Sequence, residues 1–79
     1  MTDLEKYDDT FTTSFSIQQE DLKGLVYQGT PAWDSVGHMG LIAALEETFD
    51  VMMSTDDIVD FSSYEKGKEL LNKYDITVA

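Results

Sequence analysis

The strongest constraint on the fold comes from the apolar stretch between residues 35 and 49, near the middle of the chain. Its large apolar residues recur at helical spacing and are predicted to share one face of a helix: Val36, Met39, Ile42, Leu45 and Phe49. Asp34 and Ser35 lie at its start, and both residue types favour a helix start because their side-chain oxygens accept N–H groups of the first turn. The stretch therefore predicts a helix that begins at Ser35 and ends near Phe49.

Three further helices are predicted around this one. The first has four apolar residues on one side: Leu4, Tyr7, Phe11 and Phe15. Its end is expected to fray from Thr10 onward, because Thr and Ser compete with the backbone for hydrogen bonds. Ser54, with Asp57 three residues later, predicts the cap of a short third helix. Ser62 and Glu65 have the spacing of a capping box for a last helix, whose predicted inner stripe is Tyr64, Gly67, Leu71 and Tyr74.

The first and second helices are separated by a long connection, from Ser16 to Trp33. Four apolar residues within it are expected to pin it to the core: Leu22, Leu25, Val26 and Tyr27. Residues 75–79 are expected to form a loose tail. We therefore predict an all-α fold, a four-helix bundle with a long first loop and a short third helix, formed by a single domain over residues 1–79.

The chain is near the lower size limit for a self-supporting core, with 79 residues, a mass of 8.9 kDa and no Cys. Neither disulfides nor a thiolate metal site can stabilise it, so apolar burial must do so. No apolar run approaches the length of a membrane span, and residues 1–5 lack the basic start of a secretory signal peptide. We expect a cytoplasmic protein without membrane insertion.

Charge narrows the range of partners. Sixteen acidic residues against five lysines give a formal net charge of -11, which opposes binding to nucleic acid and to anionic lipid. Basic protein surfaces are the natural partners of such a chain. Alternatively, the acidity only keeps a small protein soluble and monomeric. We expect a monomer in either case.

The run from Asp34 to Val51 resembles the acyl carrier protein family, in which a Ser that follows an Asp opens the second helix. The resemblance is specific at the pair Asp34 and Ser35 and in the run Ala-Leu-Glu-Glu-Thr-Phe-Asp-Val at residues 44–51. In that family the Ser carries a 4′-phosphopantetheine arm through a phosphodiester. The resemblance implies that Ser35 is the attachment residue, with Asp34 beside it, and that the chain is a carrier and not an enzyme.

The resemblance also implies a set of partners. A phosphopantetheinyl transferase would attach the arm, and an acyl- or aminoacyl-loading enzyme would form a thioester on its thiol. Downstream acyl-transferring enzymes with basic surfaces would then receive the cargo. Fatty-acid carriers typically have acidic residues where Gly37 and Gly40 stand, Leu where Val36 stands and Pro where Ser54 stands. These departures imply a specialised stand-alone carrier.

Two groups of residues are assigned roles by the same resemblance. The residues expected to line an acyl pocket are apolar and come from the second helix onward: Met39, Ile42, Leu45, Met53, Ile58 and Phe61. The residues expected to dock partners are small, exposed or acidic: Val36, Gly37, Gly40, Glu46, Glu47, Asp50, Asp56 and Asp57. The hypothesis for Gly37 and Gly40 comes from their size: glycine is costly inside a helix, and its lack of a side chain leaves room for a partner protein or for the arm itself. The alternative for these two is neutral drift on an exposed face, and the pocket residues are equally suited to an ordinary core.

Other functions were weighed on the same residues. Asp34, Ser35 and His38 do not fit a hydrolytic triad, because no strand precedes the Ser and Trp33 occupies the place of the first elbow Gly. His38 is therefore expected to be an exposed surface residue. The acidic pairs lack the order of a calcium loop, so no metal site is predicted. The main alternative to a carrier is an acidic interaction module of the same fold that is never modified.

The charge imbalance generates a prediction about stability. Because like charges on a small domain repel each other and salt screens them, added NaCl is expected to raise the melting temperature, and Mg²⁺ to raise it further if acidic pairs converge. Thermal unfolding over a salt series measures this. A melting temperature that stays flat or falls would show that repulsion does not limit stability.

Overall fold

The computed structural model describes residues 2–78, and this range contains four α-helices. Their bounds are Asp3–Phe15 for α1, Ser35–Phe49 for α2, Thr55–Asp60 for α3 and Tyr64–Asn72 for α4. A 3₁₀ helix, Gln19–Asp21, lies in the long loop between α1 and α2. The described range has no β-strand, so the predicted all-α class is confirmed. Met1 and Ala79, which belong to the predicted non-secretory start and loose tail, lie outside the described residues.

α1 continues through Phe15, so the predicted fraying from Thr10 is wrong. The Thr10 hydroxyl donates to the Lys6 carbonyl oxygen at 2.7 Å, which keeps the hydroxyl bonded within the helix. Phe11 and Phe15 are buried beyond this point. Packing of their rings therefore outweighs the low helix propensity of the Thr and Ser residues between them.

The core is built around the ring of Phe11. Its centroid lies 5.0 to 6.1 Å from those of five other aromatic rings: Tyr7, Phe15, Trp33, Phe61 and Tyr64. All six residues are buried. Buried aromatic side chains contribute more than their area alone when they meet at such distances, by about 0.5–1.5 kcal/mol per pair. One ring cluster thus joins α1, the long loop and the chain around α3 and α4.

The long loop is held by two kinds of contact, buried side chains and backbone hydrogen bonds. Leu22 and Leu25 are buried as predicted, whereas Val26 and Tyr27 are 50% and 37% exposed. The backbone on either side of Val26 is anchored instead, because the Tyr27 N–H donates to the Ser62 carbonyl at 2.8 Å and the Tyr64 N–H donates to the Leu25 carbonyl at 2.9 Å. The loop is therefore tied directly to the start of α4.

The predicted inner face of α2 is correct at one end and wrong at the other. Ile42 and Leu45 are buried and Phe49 is half-buried, but Val36 and Met39 are 80% and 54% exposed. At about 100° per residue, a separation of nine positions places the side chains of Val36 and Leu45 about 180° apart on the helix. Spacing by successive threes drifts around the helix, so the predicted stripe could not remain on one face.

α3 is capped by Ser54, whose Oγ accepts the Asp57 N–H at 3.3 Å, as predicted. The Asp57 carboxylate points inward and is 4% exposed. Its Oδ1 accepts from Lys73 Nζ at 2.6 Å and its Oδ2 accepts from Tyr74 Oη at 2.5 Å. Asp57 is predicted to dock partners, but the structure places its carboxylate off the open surface, where it joins α3 to the end of α4.

α4 begins one residue later than predicted. Ser63, not Ser62, is its cap, and the Ser63 Oγ accepts the Lys66 N–H at 2.9 Å. The inner stripe is buried at Tyr64, Gly67 and Leu71, is extended by Leu70, and is half-buried at Tyr74. A Cβ on Gly67 would overlap the side chains of Tyr7 and Phe61, so this position requires glycine.

The segment after α4 is not loose within the described range. Val78 is buried in the core cluster. The Ile76 N–H donates to the Leu71 carbonyl at 3.2 Å, which turns the chain back towards the bundle. Apolar burial therefore holds this segment, against the predicted loose tail.

The Asp57 network predicts a specific acid sensitivity. The hydrogen bonds from Lys73 and then Tyr74 hold the pKa of the Asp57 carboxyl below its usual value. A carboxyl whose folded-state pKa is lowered contributes stability that is complete above its unfolded pKa and is lost as the pH falls through the lower, folded value. Asp57→Asn is therefore expected to lower stability at pH 7 and to differ little from the parent protein in strong acid.

Asp56→Asn is the matched control, because Asp56 is the exposed neighbour of Asp57 and carries the same charge. Urea unfolding of both variants at pH 7 and in acid measures the effect. Equal losses of stability for the two variants at pH 7 would show that the hydrogen bonds of Asp57 contribute nothing beyond the effect of its charge.

Candidate functional site

Ser35 is the first residue of α2 and is exposed. Asp34 caps the helix in extended backbone geometry, with its Oδ1 accepting the Gly37 N–H at 2.8 Å. The first intrahelical bond runs from the His38 N–H to the Asp34 carbonyl at 2.7 Å. The N–H groups of Ser35 and Val36 precede this bond, as at any helix start. The predicted helix start at Ser35 is confirmed.

Trp33 fixes the approach of the chain to this helix start. Its side chain is fully buried, with its ring stacked on Phe15 at 5.3 Å and edge-to-face with Phe11 at 5.6 Å. The backbone N–H of Trp33 donates to the Thr30 carbonyl oxygen at 3.0 Å. Ser35 therefore lies two residues from one of the most firmly held side chains of the core.

His38 is half-buried and bonded on both ring nitrogens, so its predicted exposed position is wrong. Trp33 Nε1 donates to His38 Nδ1 at 2.9 Å, and His38 Nε2 lies 2.8 Å from the Ile58 carbonyl oxygen. The indole N–H can only donate, so Nδ1 must accept and the ring proton must lie on Nε2. His38 therefore donates to Ile58.

This arrangement bears on the reactivity of Ser35. A neutral imidazole activates a hydroxyl through its unprotonated nitrogen, and here that nitrogen accepts from Trp33. The other nitrogen is a donor to the Ile58 carbonyl. In this conformation His38 offers no base to the Ser35 hydroxyl.

An apolar groove of about 320 Å³ opens beside Ser35. Its lining comes from the long loop, the first turns of α2, and α3 with the residues that follow: Tyr27, Ser35, His38, Met39, Ile58, Val59, Phe61 and Ser62. Its volume is at the low end of the range of about 300–1,000 Å³ that is typical of ligand pockets. The groove therefore suits a small apolar group.

The six residues predicted to line an acyl pocket fall into two sets. Met39, Ile58 and Phe61 line the groove. The other three do not line it and belong to the closed core, with exposed fractions of 1% for Ile42, 0% for Leu45 and 6% for Met53. Apolar spacing alone cannot separate groove from core, because both place apolar residues on the inner side of a helix.

Besides Ser35, the predicted attachment residue, four lining residues were not predicted as pocket residues: Tyr27, His38, Val59 and Ser62, which was predicted only as a helix cap. Val59 follows Ile58 in a short helix, and its apolar character was the available signal. Tyr27 was assigned to pinning the loop, and nothing in its local sequence indicates a position beside α2. His38 could be placed only from its contacts in the fold.

The residues predicted to dock partners also divide. Five of them are exposed: Val36, Gly40, Glu47, Asp50 and Asp56. Glu46 is half-buried, and its Oε2 accepts the Met53 N–H at 2.9 Å, which closes the loop after α2. Gly37 is also half-buried and Asp57 is buried, so the structure exposes five of the eight residues fully.

Gly37 and Gly40 have different physical roles. A Cβ on Gly37 would overlap the Ala32 carbonyl oxygen, so the loop before α2 packs directly on this position. A Cβ on Gly40 would have nothing within 4 Å. The space left by the missing side chain of Gly37 is therefore filled by the loop before α2, whereas the space beside Gly40 is open.

The chain matches no protein-family model, no curated protein and no solved structure. Within residues 2–78, no three His, Cys, Asp or Glu side chains are arranged to hold a metal ion. No helix in the same range is long and apolar enough to cross a membrane. Functional inference for this protein rests on the residues and geometry around Ser35.

The two glycines give a matched pair of substitutions. Gly37→Ala is expected to lower stability by about 1–3 kcal/mol, because the methyl group forces the loop and helix apart. Gly40→Ala is expected to raise it by up to about 1 kcal/mol, because Ala is the better helix former and meets no neighbour. Thermal unfolding measures both, with about 4–8 °C expected per kcal/mol at this size. Equal shifts of the same sign would contradict the close packing of Ala32 on Gly37.

Proposed function

We propose that the protein is an acyl carrier, with a 4′-phosphopantetheine arm attached to Ser35 and an acyl or aminoacyl group held as a thioester on that arm. The observation that carries this proposal is the position of Ser35. Its hydroxyl is exposed at the start of α2, and the residue lines an apolar groove. Such a site is accessible to a modifying enzyme and has a surface for an attached apolar group beside it.

The helix start supports an attached phosphodiester. The N–H groups of the first turn and the positive end of the helix dipole favour an anion there. Asp34 opposes this, since its carboxylate is adjacent in sequence to Ser35. Both residues are exposed, so water and salt screen the repulsion between the two negative charges.

The groove supports a carried apolar group. Met39, Ile58 and Phe61 provide apolar side chains on its wall. Burying a methylene group against such a surface contributes about 0.8 kcal/mol. The groove thus offers partial shelter to an acyl chain, whereas an aminoacyl group can remain in solvent on the arm.

The exposed residues suggest how partner enzymes dock. Val36 and Gly40 present an uncharged surface within two turns of Ser35, and Glu47 and Asp50 present acidic groups at the far end of α2. A phosphopantetheinyl transferase, a loading enzyme and acyl-transferring enzymes with basic surfaces would use the acidic end for attraction and the apolar end for contact. The carrier itself would catalyse nothing, since His38 offers Ser35 no base.

A second candidate is an unmodified acidic interaction module. It is favoured by the net charge of -11 and by Val36, which is 80% exposed beside the helix start. A single exposed valine is ordinary, but Met39 and Val59, which line the groove, are also 54% and 75% exposed, and larger exposed apolar patches are typical of protein-binding surfaces. The two candidates differ in one measurable respect, which is covalent modification of Ser35.

Modification at Ser35 is the decisive test. Incubation with coenzyme A, Mg²⁺ and a broad-specificity phosphopantetheinyl transferase is expected to add one phosphopantetheine group per chain. It would also create the only thiol in a protein without Cys. Intact-protein mass spectrometry and a thiol reagent measure both results. Ser35→Ala is expected to abolish them and to change stability by less than about 0.5 kcal/mol, because Asp34 and not Ser35 caps the helix.

Ser62→Ala is the matched control, because Ser62 is another exposed serine that lines the same groove. It is expected to be modified like the parent protein. Absence of modification by several transferases, or modification that persists in Ser35→Ala, would remove the carrier proposal and leave the interaction module.

A further inference from the structure

We propose that His38 is a positioning residue that locks α2 to α3 and confines an apolar group attached at position 35 to the outer groove. The natural occupant would then be a short acyl group or a single aromatic ring. The relevance of this lock to a natural cargo rests on the proposed carrier function. The lock itself is a property of the fold and can be tested without the arm.

The first support is the hydrogen bond between the two helices. Ile58 lies in the last turn of α3, a helix of six residues, where carbonyl groups lack an N–H partner from the next turn. His38 Nε2–H donates to this carbonyl at 2.8 Å. A side chain of α2 thus caps the end of α3, and moving α3 outward would break the bond.

The second support is the position of the ring. His38 lines the groove, whereas Trp33 does not; the two rings lie nearly coplanar, at 15°, with centroids 6.2 Å apart and joined edge to edge by the hydrogen bond from Nε1 to Nδ1. The rings of Tyr27 and Phe61 lie 5.6 and 6.1 Å from the His38 ring, both edge-to-face. The imidazole therefore lies between the groove and the buried indole, held in place by three aromatic neighbours.

The third support is what lies behind the lock. Ile42, Leu45 and Met53 are closed off in the core and do not line the groove. A long chain can reach them only if α2 and α3 separate near His38. At the other end of α2, the bond from the Met53 N–H to Glu46 also holds the helix to the segment before α3. An occupant that fits within about 320 Å³ avoids breaking either contact.

The aromatic lining favours the same class of occupant. Tyr27, His38 and Phe61 present rings at one end of the groove, and Met39 presents a flexible apolar side chain. Aromatic rings pack on one another in offset or edge-to-face arrangements, and Met adapts to irregular shapes. A short or single-ring acyl group would contact these side chains without entering the core.

Chemical labelling at position 35 tests the lock directly. Ser35→Cys supplies the only thiol in the chain, and alkyl methanethiosulfonates attach propyl or dodecyl groups to it through a disulfide. Trp33 is the only Trp, so its indole N–H resonance reports the contact with His38 without interference. Urea unfolding of each labelled protein gives the change in the unfolding equilibrium.

With His38 present, the indole N–H resonance is expected to stay in place with either label, and the dodecyl label to gain over propyl only what the outer groove buries. In His38→Ala the dodecyl label is expected to shift that resonance and to stabilise the fold over propyl by more than it does in the parent protein. The gain should be about fourfold in the unfolding equilibrium per newly buried methylene. Met39→Ala is the control, because it widens the groove and leaves the bond to Ile58 intact; the dodecyl label is expected to leave the indole resonance in place.

Two conservative variants separate the lock from a general loss of stability. His38→Gln places an amide donor near the position of Nε2 and is expected to keep long labels out. His38→Asn retains an acceptor near the position of Nδ1 but lacks a donor that reaches Ile58, and is expected to admit them. This pair also decides the question should His38→Ala fail to fold.

Two results would overturn the proposal. One is a dodecyl label that displaces the indole resonance while His38 is intact. The other is a loss of stability on substitution of His38 that is the same for both labels, which would give the residue a structural role alone. Neither result depends on a transferase, so failure of the lock and failure of modification at Ser35 are separate outcomes.

Discussion

The burial of Trp33 is the constraint on which the rest of this structure depends. Its ring packs against Phe11 and Phe15. Its indole N–H must find an acceptor, because a buried donor left without one costs about 1–3 kcal/mol. His38 supplies that acceptor, and its other nitrogen then donates to α3. A single buried indole therefore ties the long loop to α1, to α2 and, through His38, to α3, and it sets the position of Ser35.

Hydrogen bonds that hold the fold together also limit which polar groups remain for function. Asp57 and Glu46 are acidic, yet Asp57 is bonded to Lys73 and Tyr74, and Glu46 closes the loop after α2. These two carboxylates stabilise the fold, and the acidic surface available to a partner is formed by exposed residues such as Glu47 and Asp50. A strong net charge does not make every acidic side chain a docking group, because a small fold also uses carboxylates to join its helices.

Local signals predicted the helices well because each depends on neighbours in sequence. The caps at Asp34 and Ser54 are bonds between a side chain and an N–H three residues later, so composition and spacing reveal them. The aromatic side of α1 follows from the helical repeat. The error at the start of α2, where Val36 and Met39 are exposed, has a different origin: residues spaced by successive threes drift around the helix, so Val36 and Leu45 cannot share one face.

For the site, the sequence by itself determined that a hydroxyl at Ser35 would open an apolar helix behind an aspartate cap. The tertiary structure decided that a groove lies beside it, that half of the predicted pocket residues are closed core, and that His38 is bound between Trp33 and Ile58. The physical reason is distance along the chain. A cap is formed within one turn of helix. The groove exists only where three segments that are far apart in sequence meet, and no local sequence pattern shows that they do.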